Sequence, residues 1–151
     1  MTTCQNIALD FDEEMKNTRK LLERVPLDDA HRGYQPHAKS MALETEVLEM
    51  QPGFKHRIAA STAELLEIFD KSVAETRAAI DAATDEEMEK TWAFKYAGTT
   101  AFSAPRSTVV RSFINHMVHH RAQLGVYLRL NEIPVPGMYG PSADDGWAPK
   151  S

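Results

Sequence analysis

The chain has 151 residues, enough for one domain with its own core. Its 42% hydrophobic and 26% charged residues are those of a folded globular protein and exclude global disorder. Seventeen Lys and Arg against 22 Asp and Glu give a net charge of −5, and the densest charge cluster, Asp85, Glu86, Glu87 and Glu89, is acidic. That balance disfavours nucleic acid as a partner, which usually calls for a basic surface.

Cys4 is the sole cysteine, so no internal disulfide can form, and it reads as a bystander more readily than as a nucleophile. No run approaches the roughly 18 apolar residues of a membrane span. Met1–Asn6 lacks the cationic start and apolar core of a signal peptide. The expectation is a cytoplasmic protein without a membrane partner.

Helical periodicity dominates the chain. Ile7, Phe11, Met15, Thr18, Leu21, Leu22 and Val25 recur at spacings of three and four, which predicts a first helix over 7–25, ended by Pro26. A loop with Gly33 and Pro36 follows. Ser40 is then expected to cap a helix of about three turns over 41–50, stopped by Pro52-Gly53. Ser61-Thr62-Ala63-Glu64 reads as a capping box opening a helix to about Ala83, with Leu65, Leu66, Phe69, Val73, Thr76 and Ile80 on its core face. Thr84-Asp85-Glu86-Glu87 repeats the pattern and opens a short helix to about Lys90. Between Trp92 and Ala104 the helical period is lost, and a loop or small hairpin is expected, with Trp92 and Phe94 as lid or core aromatics. A last long helix runs from near Pro105 to Leu130, capped by Ser107 or Thr108. The tail 134–151, rich in Pro and Gly, is expected to lie as extended coil on the surface or to fray. The predicted fold class is all-α: an antiparallel four-helix bundle, one domain over 1–151, with a short loop or hairpin insertion and an extended tail.

Three of the six His fall within His116–His120. His116 and His120 stand at i and i+4, stacked one turn apart on a helix, where two imidazoles can chelate one divalent ion. The stripe Val109, Phe113, Met117, Leu124 and Leu128 puts both on or beside the core face, and turns His119 elsewhere. The bland alternative is a pair of hydrogen-bonded core histidines. Two ligands do not complete a zinc site, so a third must come from another helix.

The run from Asn115 through His116, His119, His120, Arg121, Gln123 and Leu124 to Tyr127, Leu128 and Arg129 resembles the last-helix signature of DinB-like proteins. The tail Ile133–Asp145 and the segment Pro36-His37-Ala38-Lys39-Ser40 are similar to two further family segments. The resemblance implies a four-helix bundle holding a divalent ion on three His, two of which map onto His116 and His120. Zn²⁺ or Ni²⁺ is the expected metal, with Fe or Mn as alternatives. The third His of the family lies in the second helix. Here that stretch, Leu43–Phe54, contains no His and is a few residues short. Counting back from Glu49-Met50 puts Glu46 in its place. The site is then a His₂Glu set of His116, His120 and Glu46, or takes His37 or His56 instead, or is incomplete.

Arg121 is expected to pair with a carboxylate and Tyr127 to be a core tyrosine with a bonded hydroxyl; Lys39 and Ser40 match a family segment, which suggests a functional role, against the favoured reading that Ser40 serves only as a cap. Asp144 and Asp145 are expected to be solvated or to anchor the tail. The resemblance implies a metal-dependent transferase using a low-molecular-weight thiol of the bacillithiol or mycothiol type on a small-molecule substrate, or a metal-dependent hydrolase. The alternative is a non-catalytic, stress-induced metal-binding or dimerisation bundle with a degenerate site. A homodimer is the expected assembly.

Overall fold

The computed structural model describes residues 1–146. Helix α1 (Thr3–Leu22) starts at a capping box: Thr2 accepts from the Gln5 N–H while the Gln5 side chain accepts from the Thr2 N–H. It buries Ile7, Phe11, Met15, Thr18, Leu21 and Leu22, the face that periodicity marks. Helix α3 (Thr62–Ala82) is capped by Ser61, which accepts from Glu64 N–H. The Glu64 carboxylate reaches instead to the N–H of Ala60. Helix α4 (Asp85–Glu89) carries the full box between Thr84 and Glu87. Helix α5 (Arg106–Leu130) follows Pro105 with no side-chain cap. The expected caps Ser107 and Thr108 are not used, because Arg106 donates its N–H to Lys90 O and the chain enters the helix directly from a strand.

Three further expectations are corrected. The predicted second helix over 41–50 is two short pieces, α2 (Leu43–Glu46) and a 3₁₀ turn (Val47–Met50). Thr45 and Val47 are β-branched and favour helix weakly, and Pro52 forbids extension. Ser40 does not cap α2. The first N–H groups of α2 are satisfied by loop backbone, Leu43 on Tyr34 O and Glu44 on Arg32 O, so a side-chain cap is redundant.

The all-α fold class is also corrected. Strands β1 (Thr91–Tyr96) and β2 (Thr99–Pro105) form a two-stranded antiparallel sheet, so the molecule is mixed, with helix still at 54%. The turn explains the hairpin. Ala97 (φ 47°) and Gly98 (φ 80°) both take left-handed backbone between paired Tyr96 and Thr99, the two-residue geometry that matches strand twist. Aromatic and Thr residues along both arms suit extended chain.

Helix α1 packs against both α3 and α5, whereas α3 and α5 barely meet. The core lies along α1, with Phe11, Leu22, Leu65, Phe69, Leu124 and Leu128 essentially inaccessible. Among the described residues no helix is long and apolar enough to cross a membrane.

Beyond α5 the tail bends back on itself. Asp144 accepts from Val135 N–H and pairs with Arg129, and Asp145 accepts from Gly137 and Ser142 N–H. Those bonds, led by Arg129, hold the Asp144 carboxyl below its ordinary pKa. A Cβ on Gly137 would stand 2.2 Å from Gly140 O, so the turn requires glycine. The expected tail beyond residue 146 lies outside the described residues.

Candidate metal centre

Helix α5 supplies the imidazoles and the α2–3₁₀ segment supplies the carboxylates. His116 and His120 sit one α-helical turn apart, with ring centroids 4.5 Å from each other. Glu46 and Glu49 sit three residues apart on a chain tightening into a 3₁₀ turn, where i and i+3 eclipse. Three residues at about 2.0 Å and four at about 1.5 Å both rise about 6 Å, so the two pairs match in spacing. The segments run antiparallel. Glu46 Oε1 lies 2.7 Å from His120 Nδ1, and Glu49 Oε2 lies 2.9 Å from His116 Nε2.

The two pairs differ in environment. Glu46 is 1% exposed and His120 9%, while the His116 side chain is 51% exposed and that of Glu49 is 26%. With Glu46 as the accepting carboxylate, the bond uses the Nδ1–H tautomer of His120, which leaves Nε2 with a free lone pair. One donor atom from each of Glu49, His116 and His120 lies within 4.8 Å of the others, a possible metal-binding site. Glu46, the residue aligned with the family's missing His, stands behind His120 on its Nδ1 side. The carboxylate that completes the cluster is Glu49, which sequence reasoning used only as an anchor for counting. The signal that could have found it was the Glu46–Glu49 spacing of three set against the His pair's spacing of four.

The remaining candidates lie outside this cluster. His119 is exposed and bonded to Gln123. His31 bonds Asp28, and the pair holds that carboxyl below its ordinary pKa. His37 accepts from Lys39 N–H at an exposed loop. His56 donates to Gly53 O and lines the cavity beside the site without joining the donors. Tyr127 is buried, donates to Met41 O and meets Tyr34 edge-on. Burial first, then the Glu46 charge, pushes its hydroxyl above its ordinary pKa, keeping it a donor. Arg121, 3% exposed, pairs with Glu14 and also bonds Thr18 and Tyr139. Cys4 donates to Ala83 O, and burial followed by Asp85 pushes its thiol up, away from nucleophilic thiolate.

The donor set suits a divalent ion. Two imidazoles and one carboxylate are the ligands of a three-residue zinc site with an open position. A carboxylate on the far nitrogen of one imidazole is the usual support for such a ligand.

Among solved structures the chain is similar to a DinB-like protein from Bacillus cereus, with a TM-score of 0.73 at 18% identity, covering 89% of this chain and 97% of that one. It is also similar to a DinB-like protein from Bacillus subtilis, with a TM-score of 0.65 at 16% identity, covering 91% and 99%. At these identities the likeness is one of fold. A search among curated proteins finds no match. The DinB family model matches residues 2–150. With nearly the whole length matched, the chain belongs to the DinB family.

Proposed function

We propose that the protein is a divalent-metal-dependent enzyme whose ion is held by His116, His120 and Glu49, with Glu46 as a positioning residue. The observation that carries this reading is the donor cluster itself, three ligand atoms within 4.8 Å on two elements, backed by the Glu46–His120 bond of 2.7 Å. Zn²⁺ or Ni²⁺ suits the imidazole-rich set. When bound, the ion supplies Lewis acidity that lowers the pKa of a thiol or water at its open position. Thiol transfer to a small molecule is the favoured reaction, and hydrolysis the variant.

The chain's own residues have separate tasks. Glu46 holds His120 in the Nδ1–H tautomer and fixes its ring, so that Nε2 points its lone pair at the cluster. Glu49 brings the negative charge that offsets a divalent ion. His116, half exposed, stands at the solvent side where small molecules arrive. With Cys4 bonded to Ala83, the nucleophile is expected to come from outside the protein.

One observation favours the non-catalytic reading: each of these two imidazoles already has a carboxylate partner, so both are satisfied by hydrogen bonds without an ion. Metal analysis separates the two. The protein is purified without a His tag, dialysed, and titrated with Zn²⁺ and Ni²⁺. Near one ion per chain is expected, lost in His116→Ala and Glu49→Ala and weakened about 10- to 100-fold in Glu46→Gln. Wild-type protein that takes up neither ion would overturn the reading. Equal affinity in Glu46→Gln and wild type would remove Glu46 from its positioning role.

A further inference from the structure

The short α2–3₁₀ segment leaves one side of the bundle open. Between α3 and α5 lies a cavity of about 760 Å³ that reaches Glu49 and His116, within the range of small-molecule sites. Its α5 wall carries Val109, Val110, Phe113 and Met117, spaced as a core stripe. The α3 wall opposite carries Thr76, Ala79 and Ala82, too small to fill the gap. Residues of core character therefore face solvent: Phe113 is 46% exposed, and Phe54 at the rim 82%. Phe54 leans edge-on against Phe113 at 5.7 Å. Its loop passes α3 at Gly53, whose φ of 92° suits glycine. Trp92 of the hairpin closes part of the wall. Protein interiors are normally filled to crystal-like density, so an apolar void open to solvent beside a donor cluster needs an occupant.

The charges fix its type. Arg106 and Glu87 line the same cavity, one cation and one carboxylate, while the other lining carboxylate, Glu49, belongs to the donor cluster, so the rest of the lining carries no net charge from its Lys, Arg, Asp and Glu. Among the described residues the lining has one Arg or Lys against two carboxylates, so it holds no surplus of positive charge to receive an anion. From Arg106 to His116 is ten helical residues, about 15 Å.

We propose that this cavity is the substrate chamber and takes a neutral, largely apolar molecule, aromatic or branched alkyl, with its reactive group at the Glu49–His116 end. The proposal rests on the metal-enzyme reading for the role of that end, and on the cavity alone for the class of molecule.

The probe is N-phenyl-1-naphthylamine, a neutral dye that brightens in apolar surroundings, titrated into the full chain. Saturable binding at one site per chain is expected, weakened at least tenfold in Ala79→Phe and in Val110→Phe, two variants that fill the chamber from opposite walls. Circular dichroism identifies the variants that fold, and either one suffices. The anionic analogue 8-anilinonaphthalene-1-sulfonate is expected to bind at least fivefold more weakly. No saturable binding, unchanged affinity in a folded filling variant, or tighter binding of the anion would each overturn the proposal. His120→Ala separates it from the metal reading, since this variant is expected to lose the ion and keep the dye. Dye binding in a wild type that takes up no metal would sustain the chamber and sink the metal reading, and metal uptake without dye binding would do the reverse.

Discussion

Arg121 reaches across from α5 to α1, where its guanidinium donates to Glu14 O, Glu14 Oε2 and Thr18 Oγ1. It also meets the Tyr139 hydroxyl and lies 5.4 Å from that ring's centre. A buried cation with one carboxylate partner is costly to orphan, by about 3–5 kcal/mol. Glu14→Ala is therefore expected to destabilise the fold by about 3 kcal/mol. Tyr139→Phe removes a hydroxyl that accepts from Arg121 and donates to Glu14, and is expected to cost about 1 kcal/mol because the ring is exposed and water can replace the hydroxyl. Urea unfolding compares the two; equal losses would mean that the ion pair does not anchor the tail side of the bundle. At this scale the sequence carried half the information. An Arg inside a helical core stripe announces a carboxylate partner, but Glu14 lies 107 residues away, and helical periodicity has no term for which faces meet. The His pair was legible because its spacing is local. Glu49 was not, because its use depends on a 3₁₀ turn where an α-helix was expected.

Helices α1 and α4 are joined end to end. Asp85, the first residue of α4, accepts from the N–H groups of Cys4 and Thr3 at the start of α1, a negative charge at a helix N-terminus. Those bonds, the one from Cys4 foremost, lower the Asp85 pKa below its ordinary value. A depressed carboxylate stabilises the fold above the unfolded pKa of about 3.9, and the contribution fades as pH falls through the lower folded value. Asp85→Asn should therefore unfold at lower urea than wild type at pH 7, with the gap closing below about pH 4. A gap that stays constant from pH 7 to pH 3 would show that the charge is not what joins the helices. The long helices were legible because each carries its own apolar stripe; Ser61 marks the start of α3, and Thr84 and Glu87 write the start of the short α4 outright. The hairpin was legible only as an interruption. Its arms bury almost nothing, so no inside–outside alternation marks them, and the positive φ of Ala97 carries no sequence signature. The truncation of α2 was visible as a missing turn, and its consequence, the gap between α3 and α5, was not.

The whole molecule is a bundle closed on one side by α1 and linked on the other through side chains that run from the Met41–Met50 stretch to α5. Those links are Glu46–His120, Glu49–His116 and the Tyr127 bond to Met41 O. An ion on Glu49, His116 and His120 would join the same two segments, and would be absent from an unfolded chain that no longer brings them together. Ligand binding to the folded state alone adds RT ln(1 + [L]/Kd), about 2.7 kcal/mol at one hundred times Kd. For a chain of this length each kcal/mol moves Tm by about 2–4 °C, so saturating Zn²⁺ should raise the wild-type Tm by about 5–10 °C. His120→Ala should show no rise, and Glu46→Gln an intermediate one at the same zinc concentration, since its weaker affinity leaves fewer multiples of Kd. A rise shared by His120→Ala would place the zinc on other groups, and no rise in a wild type that binds one ion would mean that the unfolded chain holds it as tightly. Hydrogen exchange separates a global effect from a local one: if the ion bridges the open side, protection should grow first in the amides of Leu43–Met50, the segment with the least helix of its own.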